Sequence, residues 1–178
     1  MSEMYSTYFF RYQKKLLFLL LFFIFSLSSV ALKAQQINWV SLKKAQELAA
    51  RQDKKVMIFA EADWCPYCKQ MHKEVFPKES VQDSLKKYFY AVSIDIESDE
   101  KVTFNGETFT QQSLSRKFRV SGTPTTIFVD SNGDILGTQP GFLASHIYDK
   151  LLAYVGAERY NKQSFKDYLD QLGIKINR

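Results

Sequence analysis

The chain has 178 residues, a net charge of +5, and a hydrophobic fraction of 46%. This is enough for one globular domain with an extension. Residues 1–34 hold four basic residues and one acid, which leaves 20 basic and 18 acidic residues for the remainder. With so even a balance, and with no basic run interleaved with aromatic residues, a nucleic-acid-binding surface is excluded from the expected functions.

The N-terminal segment has the layout of a secretory signal. Residues 16–32 read LLFLLLFFIFSLSSVAL and carry no charge, and small residues follow the apolar run. Three basic residues precede the run: Arg11, Lys14 and Lys15. This order predicts a signal peptide over residues 1–34, cleaved after Ala31 or Ala34. The alternative is a retained membrane anchor, although 17 residues fall short of the roughly 20 that span a bilayer comfortably.

Helical and strand patterns alternate in the first half of the remaining chain. Ser41 can cap a helix, and a short apolar run after Lys55 is consistent with a buried strand. Pro66 suits the first turn of the next helix, and Pro77 marks its end. The pattern predicts helices at 41–52, 66–75 and 79–87, and strands at 56–60 and 88–94.

The second half begins with a small hairpin at residues 102–109, whose Asn105-Gly106 pair is a turn signal. The later patterns predict strands at 125–130 and 135–137 and helices at 111–118, 143–155 and about 165–172. The expected class is α/β, with a mixed central sheet flanked by helices, a hairpin insertion and a C-terminal helical tail. We expect a main domain at 35–156 and a helical extension at 157–178.

The two cysteines of the chain are Cys65 and Cys68, in a CxxC spacing. A structural disulfide stabilises mainly by closing a long loop, so a pair this close indicates redox chemistry instead. A zinc site that adds His72 is the alternative. A closed zinc site needs four ligands, and His146 is the only other histidine. We therefore expect no metal and no organic cofactor.

The predicted start of a helix at Pro66 gives the two cysteines different roles. A thiolate at a helix N-terminus is stabilised by unpaired N–H groups and the helix dipole, so Cys65 is expected to be the exposed nucleophile. Cys68 lies one turn further along. It is expected to be buried and to resolve a mixed disulfide formed on Cys65.

Three segments carry a resemblance to a known family. Residues 64–69 read WCPYCK after an apolar strand, residues 118–125 read FRVSGTPT before the next strand, and residues 140–142 read PGF before the last main helix. Together these motifs resemble the thioredoxin superfamily over about residues 38–156. The resemblance implies a thioredoxin fold.

The resemblance also implies roles for the residues around the cysteines. Pro124 would be a cis-proline facing the pair, and Thr123 would offer its backbone to an extended substrate, as in strand addition. Pro66 would contribute to the substrate site. Trp64 and Tyr67 are expected to form an apolar rim for partner chains, with partial burial in the core as the alternative.

The sequence departs from the thioredoxin pattern at two places. The dipeptide between the cysteines is Pro-Tyr rather than Gly-Pro, and Phe59 stands where many thioredoxins carry a buried acid. Glu61 shares a strand face with Phe59, so it is a candidate proton relay for Cys68. A solvated glutamate at a strand end is an equally open interpretation. The hairpin at 102–109 is an insertion, for which a decorative loop is the favoured interpretation.

The expected function is that of a thiol–disulfide oxidoreductase in a bacterial envelope, acting in the reducing direction. Its partners would be exported thiol- or disulfide-containing proteins and an upstream dithiol electron donor, for which a membrane protein is one candidate. We expect a monomer in the periplasm or cell envelope, anchored if the leader is retained. The alternatives are an isomerase or oxidase of the same fold, and a peptide-binding module without redox activity.

Overall fold

The structure is a computed structural model that describes Lys15 and residues 36–175. The predicted leader therefore lies outside the described residues, apart from Lys15. The described α-helices are α1 (Leu42–Gln52), α2 (Pro66–Gln70), α3 (Glu79–Tyr88), α4 (Gln111–Lys117), α5 (Ser145–Gly156) and α6 (Phe165–Gln171). The strands are β1 (Lys55–Glu61), β2 (Phe89–Asp95), β3 (Lys101–Phe104), β4 (Glu107–Thr110), β5 (Thr125–Val129) and β6 (Ile135–Pro140).

Four strands form a mixed sheet in the order β2-β1-β5-β6. Strands β1 and β2 are parallel, whereas β5 runs antiparallel to both of its neighbours, β1 and β6. The predicted mixed sheet flanked by helices is therefore confirmed. Because β1 and β2 are parallel, their C-terminal ends lie at one edge, and the first residue of β5 lies at that same edge.

The sheet separates two hydrophobic clusters. Side chains of a strand alternate between its faces, so Met57 and Phe59 join the cluster beneath α2, α3 and α5. Val56, Ile58 and Ala60 join the other cluster, beneath α1 and α4. The strand β1 is completely buried from Val56 to Ala60, which explains its continuous apolar run.

The hairpin β3–β4 packs on the α1 side of the sheet. Its turn residues Asn105 and Gly106 have φ values of 51° and 82°, as the predicted Asn-Gly turn requires. The Asn105 backbone N–H donates to Gln46 on α1 at 3.1 Å, and Asn105 Nδ2 donates to the Gly133 carbonyl at 3.1 Å. Phe104 is buried against Phe118. The hairpin is thus fixed into the fold by contacts with α1, Gly133 and Phe118.

The C-terminal tail packs on α5 through aromatic rings. The Tyr154 ring lies 5.2 Å from that of Phe165 and 5.6 Å from that of Tyr168, and Leu169 is buried. The predicted tail helix is therefore present. No helix among the described residues is long and apolar enough to cross a membrane.

Tertiary contacts move several predicted boundaries. The strand β6 continues to Pro140 because it pairs with β5 as far as Thr125, and α5 begins at Ser145 rather than at residue 143. Ser41 precedes α1 but its side chain makes no capping hydrogen bond. The helix of the cysteines does reach Val75 as predicted, but Met71–Val75 is a π-helical turn.

Candidate active site

The two cysteines lie just beyond the C-terminal end of β1. The Cys65 N–H donates to the Ala62 carbonyl at 3.0 Å, and Cys65 is the N-cap of α2, whose first residue is Pro66. Cys65 and Cys68 are joined in a disulfide. A tight turn after a buried strand thus presents the pair at the first turn of a helix, as the sequence predicts.

The expected exposure of Cys65 is wrong for this disulfide state. Cys65 and Cys68 are each only 1% exposed. The Cys65 sulfur is bonded to that of Cys68 and accepts the Cys68 N–H at 3.0 Å, so it is turned toward the helix. Both residues belong to the cluster beneath α2.

The Thr123–Pro124 peptide bond is cis, which confirms the predicted cis-proline. Thr125 pairs with Ala60 of β1, so Pro124 lies beside the turn that leads from β1 to Cys65. The Pro124 carbonyl accepts the Gly141 N–H at 2.7 Å. The Thr123 hydroxyl is buried and has no hydrogen-bond partner among the described residues.

Aromatic side chains border the disulfide on the solvent side. Trp64 is 60% exposed and Tyr67 58% exposed, so core burial is not observed. Their role as an apolar rim for partner chains stays a prediction. Pro66 is also exposed. The Tyr67 ring lies 6.1 Å from that of Phe142. We call Trp64, Tyr67 and Phe142 the aromatic rim. Phe142 was expected only as part of a family motif, because its proximity to Tyr67 depends on where β6 ends.

Both carboxylate oxygens of Glu61 accept hydrogen bonds. Its Oε2 accepts a hydrogen bond from His72 Nε2 at 2.7 Å, and its Oε1 accepts one from the Ser93 hydroxyl. Its side chain is 22% exposed, so the interpretation as a solvated glutamate is wrong. Burial by itself would raise the pKa of Glu61, but the hydrogen bonds from His72 and Ser93 and the charge of His72 outweigh it. The net result is a lowered pKa.

Sequence reasoning did not identify Ser93, and it did not connect His72 with Glu61. Ser93 pairs with Phe59 on β1, and it is a polar residue inside an otherwise apolar strand, which is the signal that could have identified it. The His72 ring also packs edge-on against Phe59, with centroids 5.6 Å apart. The acid Glu61 therefore lies two residues beyond Phe59, on the same face of β1.

The alternative zinc site does not fit this arrangement. The two cysteine sulfurs are bonded to each other, and His72 is bonded to Glu61. Within the part of the chain that the structure describes, no three His, Cys, Asp or Glu side chains are grouped so that they could hold a metal ion.

A CxxC pair that opens a helix after a parallel strand, with a cis-proline beside it, defines the class of thioredoxin-fold proteins with a dithiol/disulfide site. Residues 42–156 match the family model described as a thioredoxin-like domain. This match covers more than half of the chain, and the chain belongs to that family.

The curated relatives are named as protein-disulfide oxidoreductases. The thiol:disulfide interchange protein DsbD of Actinobacillus pleuropneumoniae is 33% identical over 107 residues, which cover 56% of this chain. The match spans only 17% of the relative's length. The disulfide bond reductase DsbH of Chlamydia pneumoniae is 23% identical over 118 residues, 64% of this chain and 70% of the relative.

Solved structures support the fold. A thioredoxin from Thermus thermophilus superposes with a TM-score of 0.55 at 29% identity. The superposition covers 68% of this chain and 88% of that thioredoxin.

Proposed function

We propose that the chain is a thiol–disulfide oxidoreductase that reduces disulfides in exported proteins. The observation that carries the proposal is the Cys65–Cys68 disulfide at the first turn of α2, beside the cis peptide of Pro124. The alternative function, a peptide-binding module without redox activity, would not require two cysteines that can form a disulfide across one helical turn.

The reaction transfers two electrons from the cysteine pair to the substrate. In the reduced protein the Cys65 thiolate attacks one sulfur of a substrate disulfide, forms a mixed disulfide and releases one substrate thiolate. Cys68 then loses its proton, and its thiolate attacks the Cys65 sulfur. The Cys65–Cys68 disulfide forms, and the second substrate thiolate leaves and takes up a proton. An upstream dithiol protein restores the reduced pair.

The substrate is held beside the disulfide as an extended segment. The Thr123 backbone pairs with it by strand addition, and Pro124 and Pro66 contact it on either side of the sulfur atoms. The exposure of Trp64 and Tyr67 supports a role for the aromatic rim in receiving apolar side chains of the partner.

Glu61 serves as the proton relay for Cys68. It is partly buried beneath the helix of the cysteines and is hydrogen-bonded to His72, four residues after Cys68. A carboxylate with a lowered pKa is ionised at neutral pH, so it can accept a proton through His72 or a bridging water. Ser93 fixes its orientation.

The dipeptide between the two cysteines supports the reducing direction. A strong oxidant needs a very stable thiolate, and neither Pro66 nor Tyr67 carries a charge. His72 is bonded to Glu61 rather than to a cysteine. The name of the DsbH relative, disulfide bond reductase, supports the same direction.

The electron donor is an upstream dithiol protein, and we propose a membrane-bound one. The protein acts as a monomer in the periplasm or cell envelope.

The reduction potential of the Cys65–Cys68 couple tests the direction of electron transfer, because a couple with a lower potential than its compartment donates electrons and one with a higher potential accepts them. Rapid trapping of thiols in growing cells should find the pair mainly reduced. A pair found almost wholly as disulfide, with net oxidation of a reduced substrate in vitro, would overturn the reductase assignment.

N-terminal sequencing of the native protein tests export, because a cleaved chain begins near Leu32 or Gln35. An intact N-terminus in the cytoplasm would contradict it.

A further inference from the structure

A surface groove of about 350 Å³ adjoins the aromatic rim. It lies between the π-helical turn Met71–Val75 with Lys78 on one side and residues 142–145 on the other, and we call it the lysine groove. Phe142 lines the groove and also contacts Tyr67 of the rim. Phe142 therefore connects the groove to Tyr67, which stands between the two cysteines in the sequence.

The groove is lined by two lysines and one acid, so the net charge of its lining is positive. Lys73 and Lys78 line the groove, and Lys69, next to Cys68, precedes Lys73 by one helical turn. All three are exposed, and none forms an ion pair with a residue that the structure describes. The acid that lines the groove, Glu74, instead accepts a hydrogen bond from Gln70 at 2.9 Å.

The opposite flank of the active site is acidic. Asp95 is the last residue of β2, and the loop that follows carries Glu97, Asp99 and Glu100. This loop leaves the sheet at the edge where β1 leads to Cys65. In the strand order, β2 and β6 are the two outer strands, and Phe142 follows β6. A partner that lies across the disulfide thus meets negative charge beyond β2 and positive charge near the end of β6.

We propose that the lysine groove binds an acidic segment of the partner protein, next to the partner's reactive cysteine. This inference rests on the proposed function, because it assigns the class of substrate to the same disulfide. Complementary charge suits a carboxylate-bearing chain, and the rim beside the groove suits an apolar residue of the same chain.

The spacing along the helix sets where the acids of the partner should be. Lys73 is eight residues beyond Cys65, the cysteine that bonds to the partner. This separation is about 12 Å along a helix axis. An extended chain covers that distance in about three or four residues. The substrates are therefore proteins that carry Asp or Glu about three or four residues from the cysteine that reacts with Cys65.

Two disulfide-closed peptides test the proposal, identical except that one carries two aspartates and the other two lysines about three residues beyond one cysteine. The full-length protein is reduced, freed of reductant and mixed with each peptide, and the second-order rate constant of a single turnover is measured. We expect the acidic peptide to react about tenfold faster, the lower end of electrostatic steering, and the ratio to shrink as salt is added.

Matched charge reversals locate the effect. The Lys73→Glu/Lys78→Glu variant should lose or invert the ratio of the two rate constants. The Lys43→Glu/Lys44→Glu variant has the same charge change on α1, on the other side of the sheet, and should keep the ratio. The ratio is compared within each variant, so a general loss of activity does not affect it.

A small uncharged disulfide, bis(2-hydroxyethyl) disulfide, separates the two proposals. If the wild-type protein reduces it but reacts equally with both peptides, the groove proposal is overturned and the proposed function stands. A ratio changed as much by the α1 reversal as by the groove reversal also overturns the groove proposal. If the wild-type protein reduces neither the small disulfide nor a peptide, the proposed function itself fails.

Discussion

The Oε2 atom of Glu61 lies 2.7 Å from the Nε2 atom of His72, which follows Cys68 by four residues. This contact joins the end of β1 to the helix of the active site. It also keeps an acid beneath that helix although Phe59 fills the position that an acid occupies in many thioredoxins. The Ser93 hydroxyl completes the arrangement from β2.

Replacing Glu61 should slow resolution of the mixed disulfide more than its formation. In Glu61→Gln, Cys68 loses its proton acceptor, and we expect resolution to slow by about tenfold. This is less than the 10²–10⁴ of a direct general base, because water can replace a relay. Quenched-flow mass spectrometry of a single turnover would measure the mixed disulfide as it accumulates.

Variants of the two histidines provide the controls for this experiment. His72→Gln should slow the same step, and the double variant with Glu61→Gln should be no slower than the slower single variant, since both act in one relay. His146→Gln, at the exposed start of α5, should have no such effect. Equal slowing of both chemical steps by Glu61→Gln would rule out a relay.

The stability of the protein should depend on pH through Glu61. Its pKa is lowered in the folded state, so its contribution to the free energy of unfolding is fully present above the ordinary value of 4.5. The contribution is lost as the pH falls through the lower folded pKa. We expect Glu61→Gln to cost about 1–2 kcal/mol at pH 7 and the difference from wild type to shrink below pH 4.5. Urea unfolding at several pH values measures this, and a difference that grows in acid would contradict the sign.

The two cysteines should differ when partners are trapped. Cys68→Ser leaves Cys65 able to attack but removes the thiol that resolves the mixed disulfide, so partners should accumulate on Cys65. Cys65→Ser should trap few, because Cys68 resolves the mixed disulfide and does not make the first attack on a partner. Non-reducing electrophoresis of acid-quenched cells gives the comparison. Equal trapping by both variants would show that the assigned roles are wrong.

Two Thr→Val substitutions should change stability in opposite directions. The Thr123 hydroxyl is buried and has no hydrogen-bond partner among the residues that the structure describes, so Thr123→Val should raise the free energy of unfolding by about 1 kcal/mol. The Thr126 hydroxyl lies 3.2 Å from that of Tyr148, so Thr126→Val should lower it by about the same amount. Chemical unfolding of the two variants is the measurement. A loss of stability in Thr123→Val would indicate that its hydroxyl is bonded in solution.

Local signals in the sequence predicted much of the site. The CxxC spacing, the strand before it and Pro66 identified the disulfide and its helix, and the motif around Pro124 predicted the cis-proline. These features depend on residues close together in the chain or on a family motif. The same holds for the Asn105-Gly106 turn, whose backbone conformation those two residues favour by themselves.

The surroundings of the disulfide depended on distant parts of the chain. Glu61 and Ser93 are 32 residues apart, and only the parallel register of β1 and β2 brings them together. Tyr67 and Phe142 meet because β6 extends to Pro140. The burial of Cys65 likewise results from the bond to Cys68 and from side chains contributed by other helices. The sequence by itself thus determined the cysteine pair and its helix. The tertiary structure decided the hydrogen bonds of Glu61, the contact between Tyr67 and Phe142, and the lysine groove, because strand pairing and helix packing join residues that no local pattern connects.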